Sequence, residues 1–177
     1  MGVDLRHRVP RFFESLKPGP PPPEDVDWAL SLLNEREQTL FHRMSNPDQR
    51  HAIRVARRVE TSYPPVAGET GVPVATALVA ALLHDVGKIE AGLGTYGRVA
   101  AAGCEVVARD MAEIWQQRSG MTRRIGLYLR YTEIGVDLLR LAGSEEVVVA
   151  WSREHHLDEE QWSVPIAFGR VLAAADE

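Results

Sequence analysis

The sequence predicts an all-α fold on three observations. From about residue 25 onward, apolar residues recur at three- and four-residue spacing in one segment after another. Helix-start signals stand ahead of several of these segments, and no segment alternates apolar with polar residues convincingly over a strand's length. The β-branched run Val147-Val148-Val149 is the ambiguous stretch. Ser144 as a cap, followed by Glu145 and Glu146, assigns it to a helix, because a helix N-terminus favours negative charge.

In chain order, residues 1–24 read as a polar arm with a small apolar patch (Phe12, Phe13, Leu16), followed by the stretch Lys17-Pro18-Gly19-Pro20-Pro21-Pro22-Pro23. Proline fixes φ and removes a backbone donor, so this stretch is a stiff linker, and the helical domain is placed at 25–177. Trp28, Leu32 and Leu33 share a face of the first helix. Asn34 with Glu37 forms a capping box for the next, which carries Leu40, Phe41 and Met44. Asn46-Pro47 opens a third helix, with Asn as cap and Pro in the first turn, carrying His51, Ala52, Val55, Ala56 and Val59 and ending at Tyr63-Pro64-Pro65. Pro73 opens the most apolar helix, Ala75 to about Val86, which is therefore the central buried one, with Gly87 as its stop. An amphipathic helix is expected over roughly Tyr96–Arg118, broken by Ser119-Gly120. One helix or two follow over Thr122–Ala142, with a possible break at Tyr131–Gly135. A capped helix then runs from Glu145 to about His156, and a last one from Pro165 to the C-terminus.

Composition narrows the classes of function. A chain of 177 residues, 45% hydrophobic and 25% charged, suits one domain with a sizeable core. No apolar run approaches the roughly 20 residues that cross a bilayer. Arg6 and Arg8 are not followed by the apolar run of a secretory signal, so a cytoplasmic location with no membrane partner is expected. Cys104 is the only cysteine, which excludes an internal disulfide and a cysteine-based zinc site. The net charge of −5, from 20 basic and 25 acidic residues, argues against a general nucleic-acid binder. It leaves room for a small anionic substrate, since a bound metal can reverse the local field.

The chemistry gathers at Leu82-Leu83-His84-Asp85-Val86-Gly87-Lys88, where three polar groups end the most apolar helix. A buried imidazole beside a carboxylate is costly unless both are paired or bound to a metal. Imidazole with carboxylate suits Zn, Mn, Fe or Ni, and Mg where carboxylate and water dominate. Other candidate ligands recur on other helices. His51 lies in line with Val55 and Val59 and so faces the core, His155 and His156 end a helix, and Asp176 follows three alanines that permit close approach.

The order His51, then His84-Asp85, then Asp176, on separate helices, resembles the H…HD…D pattern of the HD superfamily of metal-dependent phosphohydrolases. His84-Asp85-Val86-Gly87-Lys88 is close to its HDIG variant, over roughly residues 46–177. The resemblance implies an HD-type helical bundle in which His51, His84, Asp85 and Asp176 hold a divalent metal. It implies hydrolysis of a phosphomonoester or phosphodiester, with a small phosphorylated substrate, most naturally a nucleotide. Asp85 would hold the metal and orient the attacking water, and Lys88 would stabilise phosphoryl charge. Members with two metals add histidines between the doublet and the final Asp. His155-His156 resembles the later pair, but Tyr131 stands where those members have His, which leaves one metal or two open. The absence of a GYP motif argues against the cyclic-di-GMP phosphodiesterase branch.

Each residue also has a plainer reading. His84-Asp85 could be a hydrogen-bonded core pair, His51 a core histidine, Asp176 a solvated terminal carboxylate, and His155-His156 favourable charge at a helix end. Lys88 could cap its helix. Arg123 and Arg124 open a helix, where cations are unfavourable, which hints at a phosphate role against ordinary surface solvation. Gly92-Leu93-Gly94-Thr95-Tyr96-Gly97 lacks the context of a phosphate loop and reads as a flexible loop beside the site. The alternative to an enzyme is a catalytically degenerate HD domain that senses a nucleotide or docks a protein.

Overall fold

The computed structural model describes residues 19–93 and 111–177, and among these it is all-α, with ten α-helices and no strand. The helices are α1 (Pro23–Leu32), α2 (Glu35–Arg43), α3 (Asn46–Ser62), α4 (Ala67–Thr70), α5 (Val74–Leu83), α6 (Ala112–Gln116), α7 (Gly120–Leu129), α8 (Tyr131–Ala142), α9 (Glu146–Glu154) and α10 (Ile166–Asp176). None is long and apolar enough to cross a membrane alone.

Local signals place most of the starts. Asn34 caps α2 by accepting from the backbone N–H groups of Arg36 and Glu37, and the Glu37 carboxylate accepts from the Asn34 N–H at 2.9 Å, completing the capping box. At α3 the cap is Ser45 rather than Asn46. The Ser45 hydroxyl accepts from the Asp48 N–H, and Asn46-Pro47 fills the first turn. Ser144 likewise caps nothing. Glu145 holds the N-cap position of α9 without a side-chain cap, while Ser144 donates its hydroxyl proton to the buried Glu37 carboxylate at 2.6 Å, tying the α8–α9 junction to α2. The expected break inside 122–142 falls at Arg130, where α7 gives way to α8.

Three boundaries differ from expectation. The helical part begins at Pro23, and Pro21 before it is already buried, so the ordered packing reaches into the proline-rich stretch. α5 ends at Leu83, and Val86–Glu90 winds instead as a 3₁₀ turn (3₁₀A). α9 ends at Glu154, with His155 as its C-cap. The arm at 1–18, the helix expected from Tyr96 up to residue 110, the loop from Gly94 to Gly97, and Cys104 lie outside the described residues.

α5 is the central element, as its composition predicts. Thr76, Ala77, Leu78, Ala80, Ala81, Leu82 and Leu83 are all buried, with α3 on one side and α9 on another. α10 packs on α3, and α8 packs on both α9 and 3₁₀A. Phe41, Val59, Tyr63, Leu139, Val148, Val149, Trp151, Phe168 and Leu172 complete one continuous core. The outcome is that the C-terminal ends of α5, α9 and α10 meet the N-terminal parts of α3 and α8, and the candidate ligands lie there, His51 on the second turn of α3.

Candidate metal centre

The site begins with the way α5 stops. Beyond Leu83 the chain leaves the α-helix through His84 and Asp85 and enters 3₁₀A, which sets both side chains at the end of the helix. His84 and Asp85 are both almost wholly buried. The His84 ring is fixed from behind by Nδ1, which donates to the Ala81 carbonyl at 2.9 Å, leaving Nε2 to carry the lone pair. Nε2 lies 3.5 Å from Asp85 Oδ2 and 3.9 Å from Asp176 Oδ1.

α3 and α10 supply the remaining pair. His51, on the second turn of α3, approaches Asp176 Oδ1 through Nε2 at 2.9 Å. Arg58 on the same helix donates to the Ala175 carbonyl at 2.9 Å, which pins the last turn of α10 where Asp176 must sit. Ligand atoms of His51, His84 and Asp85 lie within 4.8 Å of one another, and the contacts of Asp176 bring all four predicted ligands together.

A second group shares Asp85. Ligand atoms of Asp85, His155 and His156 also lie within 4.8 Å of one another. Asp85 Oδ2 faces His84, whereas Oδ1 faces His155 Nε2 at 3.6 Å, which is too long for a hydrogen bond. One carboxylate therefore offers one oxygen to each group. Tyr131 occupies this second group. Its hydroxyl is hydrogen-bonded to His156 Nε2 and lies 3.3 Å from His155 Nε2.

Close approach of backbones makes this possible. A Cβ added to Gly87 would stand 1.8 Å from the Tyr131 carbonyl oxygen and 2.7 Å from the Gly135 nitrogen. One added to Gly135 would stand 2.6 Å from Ser152 Oγ, and that hydroxyl donates to the His84 carbonyl at 3.2 Å. Three small residues thus clamp 3₁₀A, α8 and α9 together and hold Tyr131 and the His155-His156 pair against Asp85. The role of Gly87 is this contact rather than stopping α5.

The electrostatics divide the residues by task. Burial works against charge on both Asp85 and Lys88, but their contact at 2.5 Å outweighs it, so Asp85 titrates well below the usual carboxylate range and Lys88 above its own. Burial also opposes ionisation of Asp176, and the His51 hydrogen bond with the nearby His84 holds its carboxyl below the ordinary value all the same. Desolvation, then the Asp85 carboxylate, pushes the Tyr131 phenol well up. His156 is exposed as a residue, yet its ring is desolvated against Tyr131 and neighbours His155, which lowers it to about 4 and leaves a neutral imidazole at pH 7.

The decisive feature is two buried atoms, His84 Nε2 and Asp85 Oδ1, that make no hydrogen bond. Leaving such atoms unmatched costs about 1–3 kcal/mol each. The neighbouring donors are nitrogen and carboxylate oxygen, so the residues present fit a divalent cation of the Mn, Fe, Ni, Zn or Mg kind.

A recess of about 250 Å³ opens beside the second group, lined among others by Lys88, Tyr128, Tyr131, Arg153 and His156. Arg123 and Arg124 are exposed on α7 and are not among its lining residues, so the phosphate role that their helix position suggested finds no support in their placement. Arg153, Tyr128 and Ser152 carried no local signal in the sequence, because each becomes part of the site only through packing of α7 and α9. Arg54 could have been found. It sits one helical turn beyond His51, and its guanidinium reaches His51 Nδ1 at 3.2 Å. Compared with known protein families, characterised proteins and solved structures, the chain matches none.

Proposed function

We propose that this chain is a metal-dependent phosphohydrolase of the HD type, cleaving a phosphomonoester or phosphodiester, with a nucleotide as the natural substrate class. The observation that carries the reading is the pair of buried lone-pair atoms without a hydrogen bond, His84 Nε2 and Asp85 Oδ1, just beyond the C-terminal end of α5. His51, His84, Asp85 and Asp176 would hold the metal. Such an ion supplies Lewis acidity and brings a water toward deprotonation near neutral pH.

The chain's own residues would do the rest. Lys88, in contact with Asp85, lines the recess with its ammonium charged. Lys88 and Arg153 would face the phosphoryl oxygens of an ester placed in the recess and stabilise the charge that builds as water adds to phosphorus. The ester P–O bond breaks, and the alcohol leaves with a proton from the entering water. The test is hydrolysis of p-nitrophenyl phosphate, bis-p-nitrophenyl phosphate and a nucleotide panel by chain reloaded with each metal. Turnover that needs the metal and falls at least tenfold in Lys88→Ala is expected. Equal turnover in metal-free chain, or none with any metal, overturns the reading.

Tyr131 favours a second reading, a degenerate HD domain that binds a nucleotide or a protein without cleaving, since its hydroxyl fills the second group where a histidine would leave a lone pair. Tyr131→His separates the two. A gain from about one to about two metals per chain, with a rise in turnover, marks the site as degenerate in the wild type. Unchanged metal content and turnover leave one-metal chemistry as the account.

A further inference from the structure

His51 differs from His84 and His155 in what stands behind its ring. A neutral imidazole carries one N–H and one lone pair, so the partner of one nitrogen decides what the other can do. Behind His84, the partner of Nδ1 is the Ala81 carbonyl at 2.9 Å. Behind His155, the carbonyls of Trp151 and Ser152 play the same part at 3.2 and 3.0 Å. A carbonyl only accepts, so in both rings Nδ1 holds the proton and Nε2 keeps its lone pair for a metal. Behind His51 stands a guanidinium. Arg54 Nη2 lies 3.2 Å from His51 Nδ1, and a guanidinium has donors only. Nδ1 must therefore accept, which leaves the ring proton on Nε2.

The front of the ring agrees. His51 Nε2 lies 2.9 Å from Asp176 Oδ1, a carboxylate oxygen that accepts this N–H. Both nitrogens of His51 are thus matched. His84, whose ring centre is 5.4 Å away, has a buried Nε2 that makes no hydrogen bond.

We propose that Arg54 is a positioning residue that works against metal binding: it holds His51 in the Nε2–H tautomer, so the ring joins the ligand set only when its proton moves to Nδ1 and Arg54 turns aside. This rests on the metal-centre reading and goes beyond it, since it concerns how firmly this chain keeps its ion. The exchange is balanced. The N–H bond at Nε2 breaks, one at Nδ1 forms, and no net proton is released. It gives up two hydrogen bonds that involve charged groups, one to Asp176 and one from Arg54, and bonds of this kind are among the stronger ones. Once Nδ1 carries a proton, it and Arg54 are two donors facing each other.

The experiment reads the tautomer and the affinity separately in the full chain. Long-range proton–nitrogen correlation spectra, with His51 assigned by its loss in His51→Gln, are expected to show His51 protonated at Nε2 without metal and at Nδ1 with zinc bound. Zinc affinity, measured against a chromophoric chelator, should rise by roughly tenfold or more in Arg54→Gln, whose amide oxygen can accept from Nδ1–H, the scale on which outer-shell partners act. Arg54→Met removes the same charge but supplies no acceptor, so its affinity should fall between those of the wild type and Arg54→Gln. Arg54→Lys, which offers donors only, should stay near the wild type. The proposal is overturned if His51 is protonated at Nδ1 in the metal-free wild type, a result no folding defect of a variant can obscure. It is also overturned if His51 keeps its Nε2 proton with zinc bound, or if Arg54→Gln binds zinc no better than the wild type. Equal affinity in Arg54→Gln and Arg54→Met would assign the effect to charge alone and overturn it too. Zinc binding by none of the chains would instead overturn the metal centre itself, and this proposal with it.

Discussion

His84→Ala is expected to leave a folded chain that no longer holds metal. The wild type, purified without chelator or a histidine tag, should carry about one or two equivalents of a transition metal per chain by elemental analysis. Loss of an outer-shell partner already weakens metal sites 10–100-fold, so removing His84 itself should lower affinity by more than about 100-fold. The reason lies in its surroundings. His84 Nδ1 is committed to the Ala81 carbonyl, and the buried Nε2 makes no hydrogen bond while facing the Asp85 and Asp176 carboxylates, so the ring is held in the orientation a metal ligand needs. A second readout guards against misfolding. At a free metal concentration of 100 times Kd, binding to the folded state alone should stabilise the wild type by about 2.7 kcal/mol, and the melting temperature of His84→Ala should not respond. A wild type that stays metal-free after incubation with Mn, Fe, Ni, Zn and Mg would sink the metal centre and move the reading to a binding module. A variant that binds as well as the wild type would remove His84 from the ligand set.

Gly87→Ala should be the most damaging single-methyl change near the site. Its Cβ would stand 1.8 Å from the Tyr131 carbonyl oxygen, a backbone atom at the start of α8 with no rotamer through which to escape. Either 3₁₀A or α8 must shift, and both shifts separate Asp85 from Tyr131 and His155. Overpacking usually costs about 1–3 kcal/mol. A clash with backbone on both Tyr131 and Gly135 should lie at or above the top of that range, about 3 kcal/mol or more, measured by urea unfolding. A Gly87→Ala chain within about 0.5 kcal/mol of the wild type would show that 3₁₀A and α8 are not in the contact described. Gly71 makes the useful comparison, because an added Cβ there meets nothing within 4 Å and only its left-handed φ of 67° opposes the change.

Much of this was legible along the chain. The all-α class followed from periodicity, since a helix face must repeat every three to four residues to reach a core, and α5 announced its burial by being apolar all round. The Asn34–Glu37 capping box is a local device, settled by four consecutive residues, and the structure contains it as expected. His51, His84, Asp85 and Asp176 could be picked out because each is a polar group on or beside an apolar face, and such a group needs a partner wherever the helices go. These properties belong to single segments, so the amino-acid sequence by itself determined them.

Other features depend on what lies across the core. Ser144 has every local mark of a helix cap, but the buried Glu37 carboxylate competes for its hydroxyl and wins, because a charged acceptor in the interior gains more from that bond than an exposed helix N-terminus does. Gly87 resembled a helix stop until α8 came within contact of it. Arg123 and Arg124 are exposed on α7, while Arg153 from α9, which carried no local signal, lines the recess. Whether Asp85 serves one group or two could not be read from spacing, because its two oxygens diverge only once α5 has ended at Leu83 and Gly87, Gly135 and Ser152 have brought α8 and α9 against it. Local hydrogen bonds and periodicity are properties of the chain, whereas the meeting of helix ends more than 20 residues apart is set by how their side chains pack, and only the tertiary structure decided that.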